Sequence, residues 1–179
     1  MNRILTYTAA VLVVLANVAH AQDTGKPRPK QDDAKKEARV RYFSAQAALY
    51  SALSHAEALE CIAGEEGKLA VDVALSHVKT VNRDANECNT STVKMGQAVH
   101  SLEKNEHMKT VRSELAEAIK TVDKAHYAVD GHGELGPPTK ETIAHLRKAL
   151  TALDKLADDL DTKPLASPGT KAAKEGEEG

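Results

Sequence analysis

From Tyr42 to Leu160 the apolar side chains recur at alternating steps of three and four, and no other feature limits the fold so narrowly. That spacing gathers them on one face of an α-helix, and it excludes the strict alternation of a half-buried strand. In the first segment Tyr42, Ala45, Leu49, Ala52, Ala56, Leu59 and Ala63 form the stripe, widened by Phe43, Leu53 and Ile62. Gly64 suits the position just past a helix end, so Gly64 to Gly67 reads as a tight turn into an antiparallel partner.

The second segment keeps one register throughout. Val71, Val78, Ala85, Thr92 and Val99 form one row, and Ala74, Val81, Cys88, Met95 and Leu102 the other. By propensity the stretch Asn86 to Thr92 resembles a loop. A loop usually resets the phase, and here the phase continues, so the spacing predicts one helix of about 39 residues, kinked at most, near 1.5 Å per residue. The register breaks at Lys104 to Glu106. Met108, Val111, Leu115, Ala118, Val122, Ala125 and Val129 then open a third segment. Gly136-Pro137-Pro138 ends that hairpin, and Thr139 is a cap candidate for a fourth helix with Ile143, Leu146, Leu150, Leu153, Ala157 and Leu160 on its seam. The expected fold is all-α: an antiparallel up-down-up-down four-helix bundle with a long second helix. A faint likeness between Leu75-Ser76-His77-Val78-Lys79 and Ile143-Ala144-His145-Leu146-Arg147 is compatible with a duplicated hairpin.

Composition agrees. The chain has 29 alanines, 3% aromatic residues and no tryptophan, which favours helices and gives strands little to use. A formal charge of −2 argues against a nucleic-acid partner. Two cysteines are too few for a disulfide framework.

The ends read differently from the middle. Arg3, the apolar run Ile4 to Val18 and the small residues of Ala19-His20-Ala21 make residues 1–21 a signal peptide, with Gln22 the first residue of the mature chain. The apolar run is shorter than the roughly 20 residues of a membrane span. No later stretch resembles a span, so the product is expected in a periplasm or outside the cell. Residues 22–33, polar and carrying two prolines, read as a flexible linker, and residues 163–179 as a disordered tail. The bundle domain is expected over 34–162.

Catalytic signatures are scarce. There is no GxSxG elbow, no CxxCH haem attachment and no histidine adjacent to either cysteine. Met95 and Met108 lie on core stripes and read as packing. A di-iron bundle needs two Glu-x-x-His pairs, and Asp123-x-x-His126 is the nearest approach.

Histidine is the one oddity. His55, His77, His126 and His145 fall one per expected helix, each at the edge of an apolar stripe. Helical rise places His55 level with His77, and His126 level with His145, with the two hairpins offset by roughly 12 Å. Neutral imidazoles suit copper or zinc, and Asp123 and Glu141 are the candidate oxygen ligands or tautomer-fixing partners. The plainer reading is that flank histidines form hydrogen bonds at the core boundary, and a third is that they titrate as acid-sensitive switches.

The sequence therefore points to an exported, non-enzymatic binding or interaction module of the bacterial cell envelope, without a cofactor. Its partner is an unknown protein or a second copy of itself. The alternative is a periplasmic metal-binding or metal-responsive bundle using the four flank histidines. Cys61 and Cys88 are expected to be free: along one continuous helix they stand some 30 Å apart, and a disulfide needs Cα atoms within about 7 Å.

Overall fold

The computed structural model describes residues 31–64 and 71–165. Residues 1–21 (the expected signal peptide), 22–30 of the expected linker, 65–70 with the expected first turn, and 166–179 of the expected tail lie outside the described residues.

Four long helices carry the fold: α1 (Gln31–Gly64), α2 (Val71–Ala98), α3 (Glu106–Tyr127) and α4 (Gly136–Asp154). α1 packs on α2 and α4, and α3 packs on the same two. The cross-helix bonds fix the directions. Ser51 pairs with Asp84 and His55 with His77, so α1 and α2 run antiparallel. Thr121 with Thr142 and Glu114 with His145 do the same for α3 and α4. The expected up-down-up-down bundle is the fold.

One continuous core runs through all four helices. α1 contributes mostly small side chains, Ala38, Ala45, Ala48, Ala52 and Ala56, around the larger Tyr42, Leu49, Leu53 and Leu59. α2 adds Val78, Val81, Cys88 and Met95, α3 adds Met108, Val111 and Leu115, and α4 adds Leu146 and Leu153. Each expected stripe is the buried face, except at its start on α2, where Val71 is exposed. α1 opens at Gln31, three residues earlier than the domain start inferred from the pattern. Asp32 and Asp33 lie in its first turn, where negative charge complements the helix dipole.

α2 runs unbroken through Asn86 to Thr92. The loop-forming side chains there bond back to their own helix: Asn86 Nδ2 to the Asn82 carbonyl at 2.8 Å, Thr90 Oγ1 to that of Asn86 at 2.9 Å, and Thr92 Oγ1 to that of Asn89 at 2.7 Å. The helix is nevertheless shorter than the spacing predicts, 28 residues, and α1 is the longest element at 34. Val99 turns to an extended conformation (φ −124°, ψ 94°), and one helical turn, His100–Glu103, follows before Asn105 caps α3 through its side chain. These residues cross from α2 to α3 instead of lengthening α2. Gly96 permits the crossing. A Cβ there would stand 2.9 Å from the Glu103 Cγ and 2.9 Å from Arg112 Nη2.

The shorter helix removes the expected offset between hairpins. A void of about 10 Å³ is lined by Ala56 and Leu59 of α1, Val78 and Val81 of α2, Val122 and Ala125 of α3, and Thr139 and Thr142 of α4. All four helices therefore share one level beside the histidines. At the far end of the second hairpin, Ala128–His132 forms a π-helical turn that closes through Gly131 (φ 87°). Thr139, the expected cap of α4, lies inside that helix, and its hydroxyl donates to the Leu135 carbonyl at 2.8 Å.

Candidate functional site

The level arithmetic brings His55 and His77 together. Their Nδ1 atoms stand 2.8 Å apart across the α1–α2 seam, with ring centroids at 5.1 Å and planes tilted by 48°. Both rings are half-buried. An N–H···N bond needs one donor and one acceptor, so one ring carries its proton on Nδ1 and the other presents a lone pair there. A single hydrogen bridges the two Nδ1 atoms.

The second hairpin is arranged otherwise. His145 Nδ1 meets Glu114 Oε2 at 2.7 Å across the α3–α4 seam. His126 faces solvent and does not join His145. Asp123 accepts from Asn82 Nδ2 at 3.2 Å, tying α3 to α2; desolvation pushes its carboxyl up, and His126 opposes the shift. Glu141 faces Lys124 at 3.7 Å. Asp123 and Glu141 do share an open groove of about 540 Å³ at the hairpin end, with Lys120, Lys124 and Tyr127 on its walls. Of the six residues singled out by spacing, the structure thus pairs His55 with His77 and places Asp123 near Glu141. It leaves His126 beside Asp123 but apart from the other histidines, and separates His145 from both groups. Among the described residues no three His, Cys, Asp or Glu side chains converge on one point.

Both cysteines are free, Cys61 exposed and Cys88 buried. Burial first, and the charge of Glu87 second, push the Cys88 thiol up to about 12. It acts as a small core side chain and not as a nucleophile.

A second polar cluster lies between α1 and α4. After α4 the chain makes a short 3₁₀ turn, Asp158–Leu160, and reverses at Asp161, which adopts a left-handed conformation (φ 49°, ψ 50°). The next residues form a strap along α1. Arg39 Nε donates to the Leu160 carbonyl at 2.6 Å, and Lys35 Nζ meets Asp161 at 2.9 Å. Farther along, Gln46 Oε1 accepts from the Leu165 N–H at 2.8 Å, and Tyr50 donates its hydroxyl to the Leu165 carbonyl at 3.1 Å. Both main-chain groups of one residue are held by side chains of α1.

Gln46 is fully buried, and its amide nitrogen donates to Asp154 Oδ1 at 2.7 Å. Burial pushes the Asp154 carboxyl up, against the lowering effect of that bond. Tyr42 lies in the same cluster, and burial, then the charge of Asp154, hold its phenol far above its usual range. Spacing alone missed Gln46, Tyr50 and Asp154, as well as Glu114. One signal was present. Gln46 stands four residues after Tyr42 and three before Leu49, so a polar side chain occupies the apolar face.

Compared with known proteins, the chain matches no family model, no curated protein and no solved structure.

Proposed function

We propose that this chain is an exported, non-enzymatic helical-bundle binding module of the bacterial cell envelope. One observation carries the reading: α1 holds a segment of its own chain through the main chain, with Gln46 on the N–H and Tyr50 on the carbonyl of Leu165. Main-chain recognition of an extended segment is a recurring way to bind peptides, since backbone bonds supply affinity whatever the side chains. The Leu165 side chain is 43% exposed, so it contributes little to the grip. The signal-like N-terminus supports export.

The test places a photoreactive analogue at Phe43, which shares a helix face with Arg39, Gln46 and Tyr50. In living bacteria, the chain should be recovered from the periplasmic fraction with Gln22 first and cross-linked to a second polypeptide. Retention of Met1 in the membrane pellet, or adducts confined to single molecules, overturns the reading.

A metal-binding reading has one observation in its favour, the facing Nδ1 atoms of His55 and His77. Two imidazoles at about 2.05 Å from one tetrahedral ion stand roughly 3.3 Å apart, so copper or zinc needs the pair to open by about half an ångström. Equilibrium dialysis with Cu²⁺ or Zn²⁺ tests it. Stoichiometric binding lost in the His55→Ala/His77→Ala variant, and kept when His100 and His107 are replaced, supports the site. Equal loss in both variants marks adventitious surface binding.

A further inference from the structure

The open groove beside Asp123 and Glu141 has its lysines neutralised. Lys120 meets Glu117 at 2.6 Å and Lys124 meets Glu141 at 3.7 Å, with Asp123 and Glu134 alongside. A second open groove, of about 390 Å³, lies toward the other end of the same hairpin, between His107 and Glu114 of α3 and Arg147, Lys148 and Lys155 of α4. Its charge is of another kind. The side chains of His107, Lys148 and Lys155 have no hydrogen-bond or ion-pair partner among the described residues. Arg147 meets Glu57 of α1 at 2.8 Å, but with side chains 64% and 49% exposed that pair is solvated and readily exchanged. The carboxylate in the groove, Glu114, is engaged by His145 at 2.7 Å. Three permanent cations and one paired carboxylate thus line a groove in a chain whose formal charge is −2. Charge of one sign gathered in a concave site raises the local concentration of a ligand of the other sign.

We propose that this α3–α4 groove binds an acidic segment of a partner polypeptide. Lys148 and Lys155 stand on one face of α4, about 10 Å apart along its axis. A run of Asp or Glu in extended form advances about 3.3 Å per residue, so one segment meets both ammoniums at once. A single phosphate reaches only one of them, and the groove offers it no cradle. The hydroxyls of Thr110 and Thr151, which also line it, are spent on the carbonyls of Glu106 and Arg147, each at 2.9 Å. Among the described residues the walls carry no Phe, Tyr or Trp, so the bases of a nucleic acid have no such ring to stack on. The groove shares no residue with the Leu165 grip and stands whether or not that grip serves a partner.

Fluorescence anisotropy of a labelled hexaglutamate peptide, titrated with the full chain at low ionic strength, tests the site. The peptide should bind, and less tightly as salt is raised, because an open groove is screened. Lys148→Glu/Lys155→Glu should weaken binding about tenfold, since each position gives up an attraction and adds a repulsion. Lys79→Glu/Lys94→Glu makes the same change in net charge on α2, outside the groove, and should stay within about twofold of the parent. All four lysines are exposed, so both variants should keep the fold, which circular dichroism checks.

No binding by the parent chain overturns the proposal. Equal weakening in the two variants does so as well, by showing attraction to the surface as a whole. Tighter binding of hexathymidylate than of hexaglutamate makes the ligand a nucleic acid and refutes the acidic polypeptide. Tenfold selectivity between the variants, seen with hexaglutamate and not with hexathymidylate, supports it.

Discussion

Replacing Gln46 by leucine tests the polar grip between α1, α4 and the strap. The two side chains are close in size, so overpacking and cavity effects stay small. The change removes the charge-assisted bond to Asp154, worth about 1.5–3 kcal/mol, and the neutral bond from the Leu165 N–H, worth about 0.5–1.5 kcal/mol. These losses do not simply add. The Leu165 amide regains water when the strap lifts, whereas Asp154 is half-buried and cannot fully rehydrate. A net loss of about 2–3 kcal/mol is expected, or a fall in Tm of roughly 6–10 °C for a domain of this size. Urea unfolding followed by circular dichroism measures the first quantity, and hydrogen exchange at the Leu165 amide reports the strap separately. Asp154→Leu in the same background should recover much of the loss, giving a coupling of about 1.5 kcal/mol or more in a double-mutant cycle. A loss under about 0.5 kcal/mol, or strictly additive single effects, would refute the reasoning.

Three further outcomes follow from the packing. Alkylation of the native protein near pH 8 should label Cys61 and spare Cys88, whose thiol burial pushes up to about 12; equal labelling before urea is added contradicts the buried seam. Gly96→Ala should gain about 1 kcal/mol of helix propensity but displace Arg112 from the Thr92 carbonyl, a charged bond of about 1.5–3 kcal/mol. Tm should therefore fall by a few degrees, and a rise would show that Arg112 moves freely. Asp154→Asn keeps an acceptor for Gln46 and removes a charge that burial disfavours. Because the folded carboxyl is raised, the native state holds a proton that the unfolded chain has released, and stability declines as pH climbs from the ordinary carboxylate range through the raised value. The variant should thus melt higher than the parent at pH 7, with the gain vanishing below about pH 3.9. A lower Tm at pH 7 would show that the charge is favourable.

The helices were legible because burial on one face leaves a periodic trace, and Tyr42, Leu49, Val81, Leu115 and Leu146 all lie where that trace puts them. Continuity through Asn86 to Thr92 was legible from phase alone. Propensity misleads there because those side chains bond to their own helix. The break at Val99 was not legible, since Val99 and Leu102 stay in the row while the backbone between α2 and α3 turns away. Gly96 was the available hint, and reading it required knowing that Glu103 folds back onto it. For the histidines, helical rise gives height but not azimuth. Height placed His55 beside His77. Azimuth, set by which faces meet, sent His126 to solvent and gave His145 to Glu114. The strap left no periodic trace at all, because extended residues gripped through the main chain make no demand on side-chain pattern.

The alanines buried along α1 make the molecule unequally tolerant of change. Trimming an alanine to glycine removes one carbon, so the loss is mainly backbone freedom, about 1 kcal/mol. Enlarging one forces whole helices apart, because a dense interior has nowhere to move a side chain. Even Ala56, which borders the internal void, faces only about 10 Å³, on the order of one water-sized probe. Sequence drift in this protein is therefore confined in one direction. Along Ala38, Ala45, Ala48, Ala52 and Ala56 its descendants can stay small, but they cannot grow without repacking the whole bundle.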